Sequence, residues 1–171
     1  MNRLSNGTKK DFPKRKINRL QGFDYSLPGD YFITICTKNR NKIFWSSDYS
    51  EKISAAKEYT EFLSPIGQIA QSVIKRTDDV YNGKIRVDKF VIMPDHIHLI
   101  ISIYDTDNKK RIDIPAVINQ LKRCITIESK TKDIWQKDYS DHIIRNERDY
   151  NEIWDYIDAN PRKYTGNIFL K

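Results

Sequence analysis

Lys89-Phe-Val-Ile-Met-Pro-Asp-His-Ile-His-Leu-Ile-Ile-Ser-Ile103 consists of two runs rich in β-branched and apolar residues, separated by Pro94-Asp95. Proline and aspartate favour a tight turn, so the stretch predicts a β-hairpin whose first strand covers Ile85–Met93. Successive side chains of a strand point to opposite faces. His96 and His98, two of only three histidines in the chain, therefore project from one face with Ile97 on the other. Two imidazoles so placed can share a divalent ion whose remaining positions are filled from elsewhere in the chain and by substrate. The same triplet also suits a half-buried strand whose histidines are simply hydrogen-bonded.

Upstream of the hairpin, Asp30-Tyr-Phe-Ile-Thr-Ile-Cys-Thr37 has strand composition and runs into the polar turn Lys38-Asn-Arg-Asn-Lys42. One of Tyr31 and Phe32 is expected in the core and the other outside it. Ser64-Pro65 predicts a helix start, serine as cap and proline in the first turn, with Ile66, Ile69, Ala70, Val73 and Ile74 as its buried stripe. Downstream, Ile114, Val117, Ile118, Leu121 and Ile125 recur at helical spacing. Ile134–Ile144 reads as extended, and Asn146 can cap a last helix from Glu147 to about Asn160, stopped by Pro161. The order predicts an α+β, ferredoxin-like antiparallel sheet, β-α-β-β-α-β, with one helix added at the C-terminal end. Two helices on one face of the sheet would leave the other to the histidines and within reach of the added helix.

The chain has 171 residues, is 39% hydrophobic and 12% aromatic, and carries a net charge of +7. That is enough for one globular domain with its own core. Cys36 and Cys124 match no zinc spacing and are expected to be reduced. There is no apolar leader-like segment and no run near the ~20 residues of a membrane span, so a soluble, cytoplasmic protein is expected. Residues 1–20 hold seven basic residues against the lone Asp11, which accounts for six of the seven net charges. Residues 1–25 are read as a basic N-terminal arm and 26–171 as the folded domain. Lys14, Arg15, Lys16 and Arg19 suit phosphate binding through counterion release, and equally a solvated tail.

On the last helix, Tyr156 and Asn160 are four apart and share a face, beside the packing residues Ile153 and Ile157. Asn160 offers a carboxamide oxygen suited to a hard cation, and Tyr156 a phenol next to it. They also read as an ordinary amphipathic tyrosine and a residue ending a helix before proline. Joined to the histidines, they are parts with which a phenolate could attack a phosphodiester while a metal neutralises developing charge. A free phenol titrates near pH 10, about three units above neutrality, so a cation or a base must assist. Tyr139, near His142, is the strongest rival nucleophile. His142 with Arg145 suits either phosphate contact or packing, and Trp135, Trp154 and Tyr164 suit either base stacking or the core.

Met93-Pro-Asp-His-Ile-His-Leu99 resembles the signature of the HUH superfamily of single-strand DNA nucleases. Arg19-Leu-Gln-Gly-Phe-Asp-Tyr25, Gly29-Asp-Tyr-Phe-Ile-Thr-Ile-Cys36, Trp135-Gln136, Asp141-His-Ile-Ile-Arg145 and Asp155-Tyr-Ile-Asp-Ala-Asn-Pro161 are similar to one branch, the REP-associated tyrosine transposases, over roughly residues 14–164. The resemblance implies Tyr156 as nucleophile, His96, His98 and Asn160 as ligands of Mg2+ or Mn2+, and a single-stranded, hairpin-forming DNA substrate. The product would be a 5′-phosphotyrosine and a free 3′-hydroxyl, resealable to another strand. It leaves monomer and homodimer both open. An alternative from a different class is a catalytically inactive, sequence-specific DNA-binding protein derived from such an enzyme. Ten residues follow Pro161, fewer than the extension of many relatives, so target recognition by such a tail is not expected.

Overall fold

The computed structural model describes residues 20, 22–104 and 111–166. Four strands form one antiparallel sheet: β1 (Gly29–Cys36), β2 (Ile85–Met93), β3 (His96–Ile103) and β4 (Ser140–Ile144). Their spatial order, β2-β3-β1-β4, is that of the ferredoxin-like core expected from the order of elements. The hairpin β2–β3 pairs Met93 with His96 across Pro94-Asp95, and β1 pairs along the whole of β3. Three longer helices complete the fold: α2 (Pro65–Lys75), α4 (Ile114–Glu128) and α5 (Glu147–Thr165). Single turns α1 (Tyr49–Lys52) and α3 (Thr77–Val80) join them.

The α2 and α4 starts are made by local chemistry. Ser64 Oγ accepts from the Gly67 amide, and Asp113 Oδ1 from that of Ala116, and each first turn carries a proline, Pro65 first in α2 and Pro115 second in α4, where no intrahelical amide bond is lost. The apolar stripes of both helices join Tyr31, Ile33, Ile35, Ile97, Leu99 and Ile101 in one core. Each such side chain contributes roughly 1.5–3 kcal/mol of transfer free energy. Gly67 lets α2 sit against the chain at Phe44. A methyl group there would lie 2.1 Å from the Phe44 carbonyl oxygen, far inside van der Waals contact distance.

Two boundaries differ from the sequence expectation. The regular strand expected from Ile134 is confined to β4; ahead of it Ile134–Gln136 stays extended beside the end of β1, with Thr37 bridged to Trp135, the Lys38 amide donating to the Ile134 carbonyl and the Gln136 amide to the Cys36 carbonyl, and the segment is also held to α4. The Lys122 ammonium donates to the carbonyls of Gln136 and Asp138, and the Trp135 indole donates to the Lys122 carbonyl. Tyr139, expected on a strand, is a buried residue just before β4. The last helix also does not stop at Asn160 but runs through Pro161 to Thr165. Proline forfeits one intrahelical bond and clashes with the carbonyl four residues back, yet Pro161 is buried, and the chain ends the helix at Gly166, left-handed at φ 67°. Among the described residues no helix is long and apolar enough to cross a membrane.

Candidate active site

The face of the sheet opposite α2 and α4 carries Thr34 and Cys36 of β1 beside His98 and His96 of β3, with Val91 and Met93 of β2 on the far side. Helix α5 lies over it. Nineteen residues span about 28 Å at 1.5 Å each, enough to cross the sheet. Its amino end is held at β4, where Asn146 caps the Asp149 amide and Asp149 pairs with His142 at 2.8 Å. Further along, Tyr150 donates to Asp88, and Lys89 bonds Asp158 at 2.5 Å and lies 4.4 Å from the Trp154 ring centroid. Ile157 and Pro161 are its two buried contacts. At the carboxy end Tyr164 meets Trp45 and Tyr49 edge-on or tilted. The face expected to be free is thus largely covered, and His98 is only 5% exposed.

Under the helix, His96 Nε2 and His98 Nε2 are 3.1 Å apart, and Tyr156 Oη is 3.5 Å from His98 Nε2. Phe32 stacks on the His98 ring at 5.3 Å and meets Tyr156 edge-on at 6.0 Å, so it packs beside both rings where they touch. The outer ring nitrogens are also tied. His98 Nδ1 is 2.9 Å from Thr34 Oγ1, and His96 Nδ1 is 2.6 Å from Asp95 Oδ1. Asp95 in turn pairs through Oδ2 with the Arg40 guanidinium, 2.9 Å from Nε. Burial, then the neighbouring His96 and Arg40, push the His98 imidazole down to about 3. Burial also lowers His96, against the opposing pull of Asp95. Both rings are neutral at pH 7, the form in which imidazole binds metal.

The donor set fits a cation. Two cis ligands of an octahedral ion with bonds of ~2.1 Å stand about 3.0 Å apart, close to the separation of the two Nε2 atoms. Among the described residues no group of three or more histidine, cysteine, aspartate or glutamate side chains completes such a site, so a further donor must be an amide, a hydroxyl, water or substrate. Asn160 lies one turn beyond Tyr156, and its side-chain amide donates to the Tyr156 carbonyl at 2.7 Å.

The structure therefore brings His96, His98 and Tyr156 together, with Asn160 on the same helix. His142 sits on the same face at the β4 edge, opposite Phe32, tied to Asp149. Arg145, just past β4, is exposed. Lys14, Arg15, Lys16 and Arg19 lie outside the described residues, and Tyr25, at the end of the segment read as an arm, is buried and donates to Asp141 at 2.5 Å. Trp135, Trp154 and Tyr164 each have protein neighbours, namely Phe44, Lys89 and Trp45. Sequence reasoning placed Asp95 and Arg40 only in turns and gave neither them nor Thr34 a role in the site. The pairing of β1 with β3 that places Thr34 beside His98 has no local signature.

No protein-family model matches the chain. It is 28% identical over 169 residues to an uncharacterised protein of Haemophilus influenzae, covering 86% of this chain and 88% of that one. It is 25% identical over 140 residues to the REP-associated tyrosine transposase of Escherichia coli K12, covering 82% and 70%. Among solved structures, a REP-associated tyrosine transposase bound to a REP hairpin superposes with a TM-score of 0.59 at 22% identity, over 85% of this chain and 74% of that one. The chain is a relative of the REP-associated tyrosine transposases and shares their fold.

Proposed function

We propose that this protein is a transposase that cuts and rejoins single-stranded DNA through Tyr156, on a hairpin or palindromic substrate. The observation that carries the reading is the convergence on His98 Nε2 of the Tyr156 hydroxyl, at 3.5 Å, and His96 Nε2, at 3.1 Å, beneath one helix. The E. coli relative named as such a transposase, and the fold shared with one bound to a REP hairpin, support the substrate class.

In this reading His96, His98 and the Asn160 carboxamide oxygen hold a divalent Mg2+ or Mn2+ ion with substrate oxygen, which would polarise the scissile phosphate and neutralise charge on it. The Tyr156 oxygen forms a bond to phosphorus and loses its proton; the bond to the 3′ oxygen breaks, and that oxygen takes up a proton. The phosphodiester becomes a phosphotyrosine without water, so a 3′-hydroxyl can reverse the step on another strand. Phe32 and His98 hold the Tyr156 ring, which lowers the cost of orienting the nucleophile. To supply the Asn160 oxygen, its amide must turn away from, or keep only its nitrogen on, the Tyr156 carbonyl.

Incubation with hairpin-bearing single-stranded DNA and Mn2+ is expected to give a covalent protein–DNA adduct. Tyr156→Phe should abolish it while leaving DNA affinity within about twofold, since the ring still packs on Phe32 and His98, and chelator should abolish it in the wild type. An adduct that survives Tyr156→Phe and disappears in Tyr139→Phe moves the nucleophile to Tyr139. No adduct from the wild type on any hairpin favours a binding protein that does not cut.

A further inference from the structure

We propose that Arg40 is a positioning residue of the histidine pair: acting through Asp95, it holds the His96 imidazole with its Nδ1 proton turned outward and its Nε2 lone pair turned to His98. The proposal rests on the reading of His96 and His98 as a ligand pair.

The first observation is backbone. Arg40 stands at φ 57°, next to Asn39 at φ 56°, in the left-handed region that asparagine tolerates and arginine avoids. The turn itself does not call for arginine. Its hydrogen bonds, Arg40 amide to the Thr37 carbonyl and Asn41 amide to the Lys38 carbonyl, are main-chain bonds that glycine would make at less strain. A bulky residue kept in a disfavoured conformation points to a use for its side chain.

The second observation is where that side chain goes. Arg40 Nε forms an ion pair with Asp95 Oδ2 at 2.9 Å, and Nη1 donates to Cys36 Sγ at 2.8 Å. Cys36 is the β1 residue paired with His96. The turn carrying Arg40 is sewn to the turn carrying Asp95 by Thr37, whose amide and hydroxyl both donate to the Asp95 carbonyl, at 2.9 and 3.0 Å. With Oδ2 engaged by the guanidinium, Oδ1 is left 2.6 Å from His96 Nδ1. A carboxylate only accepts, so Nδ1 must carry the ring proton and Nε2 must present its lone pair. The side chain of Asp95 is 16% exposed. Without the guanidinium, water can compete for it and the carboxylate can turn. The planar fork of arginine spans Asp95 and Cys36 together, which a lysine amine cannot do in the same geometry.

The test uses the whole chain with Arg40→Gln, Arg40→Gly, Arg40→Lys and Asp95→Asn. Long-range 15N–1H spectra of the metal-free proteins at one pH above 7 read the His96 tautomer, calorimetry reads Mn2+ affinity, and thermal unfolding reads stability. The wild type is expected to show a single Nδ1–H tautomer at His96. Asp95→Asn and both Arg40→Gln and Arg40→Gly should mix the tautomers and weaken Mn2+ binding about tenfold or more, in the range usual for outer-shell partners of metal-ligating histidines. Arg40→Lys should recover little of it. Arg40→Gly should raise the melting temperature, because it relieves the backbone. A weaker site in a more stable protein is what a merely structural arginine cannot produce. An unchanged tautomer and Mn2+ affinity in Arg40→Gly, or an affinity loss that follows a fall in melting temperature across the variants, overturns the proposal. A wild type that binds no Mn2+ overturns the ligand-pair reading instead, and the tautomer comparison still decides what Arg40 does.

Discussion

At His98, burial and chemistry act on the same ring. The residue is enclosed by Phe32, Tyr156 and the sheet, and enclosure makes its protonated form costly. The sign of the stability consequence follows. The unfolded ring binds a proton near its ordinary 6.5, the folded one only near 3, so the contribution is fully present above about pH 6.5 and is lost as pH falls through that interval. In chelator, wild-type stability measured by denaturant titration should therefore drop by up to roughly 1 kcal/mol per pH unit more steeply than that of His98→Gln between pH 6.5 and 4. Parallel curves for the two proteins would show that His98 stays uncharged for free, or is not enclosed. Thr34 and Asp95 deserve equal weight at this scale, since they set which nitrogen of each imidazole faces the site.

Among the elements, α2 and α5 illustrate two ways of docking a helix. The first docks by shape: Gly67 brings its first turn against the Phe44 backbone, and Ser64 bonds the Ile43 carbonyl as well as capping the helix. Gly67→Ala should add intrinsic helix propensity and still destabilise the fold by roughly 1–3 kcal/mol, because the opposing atom is backbone and cannot swing aside. A melting temperature equal to or above wild type would refute that close approach. By contrast, α5 docks mainly through polar and aromatic contacts, Asp149 with His142, Tyr150 with Asp88, Asp158 with Lys89 and Tyr164 with Trp45, around Ile157 and Pro161. Such contacts fix direction more than they add stability. They set where along the sheet Tyr156 comes to rest.

On the scale of the whole molecule, charge and fold are separated along the chain. Six of the seven net positive charges fall in residues 1–20, and the remainder is nearly balanced. If Lys14, Arg15, Lys16 and Arg19 bind phosphate, changing all four to alanine should weaken matched and scrambled DNA hairpins alike and flatten the log–log salt dependence by up to ~3 units, at ~0.7 per contact on single strands. Hairpin titrations at several salt concentrations test this. An unchanged slope removes the arm from the interface, and a loss confined to the matched hairpin would give it a role in reading sequence.

What the sequence alone determined is what short-range periodicity encodes. Alternation in Ile85–Ile103 sets the hairpin and puts His96 and His98 on one face, Ser64 and Asn146 set helix starts, and the four-residue step from Tyr156 to Asn160 sets a shared helix face. The order of these elements was enough for the ferredoxin-like sheet, because few topologies satisfy it. Only the tertiary structure decided the rest. Thr34 meets His98, and Cys36 meets His96, through a pairing of residues 64 and 60 positions apart in the chain. Arg40 reaches Asp95 through two turns held together by Thr37. The Ile134–Asp138 segment keeps a single bridge, Trp135 to Thr37, at the end of β1 and is held to α4 by Lys122, and Pro161 stayed inside its helix because it could be buried there. Local pattern records which way a side chain faces, whereas its partner is chosen by chain segments distant in sequence and by the burial that only their packing creates.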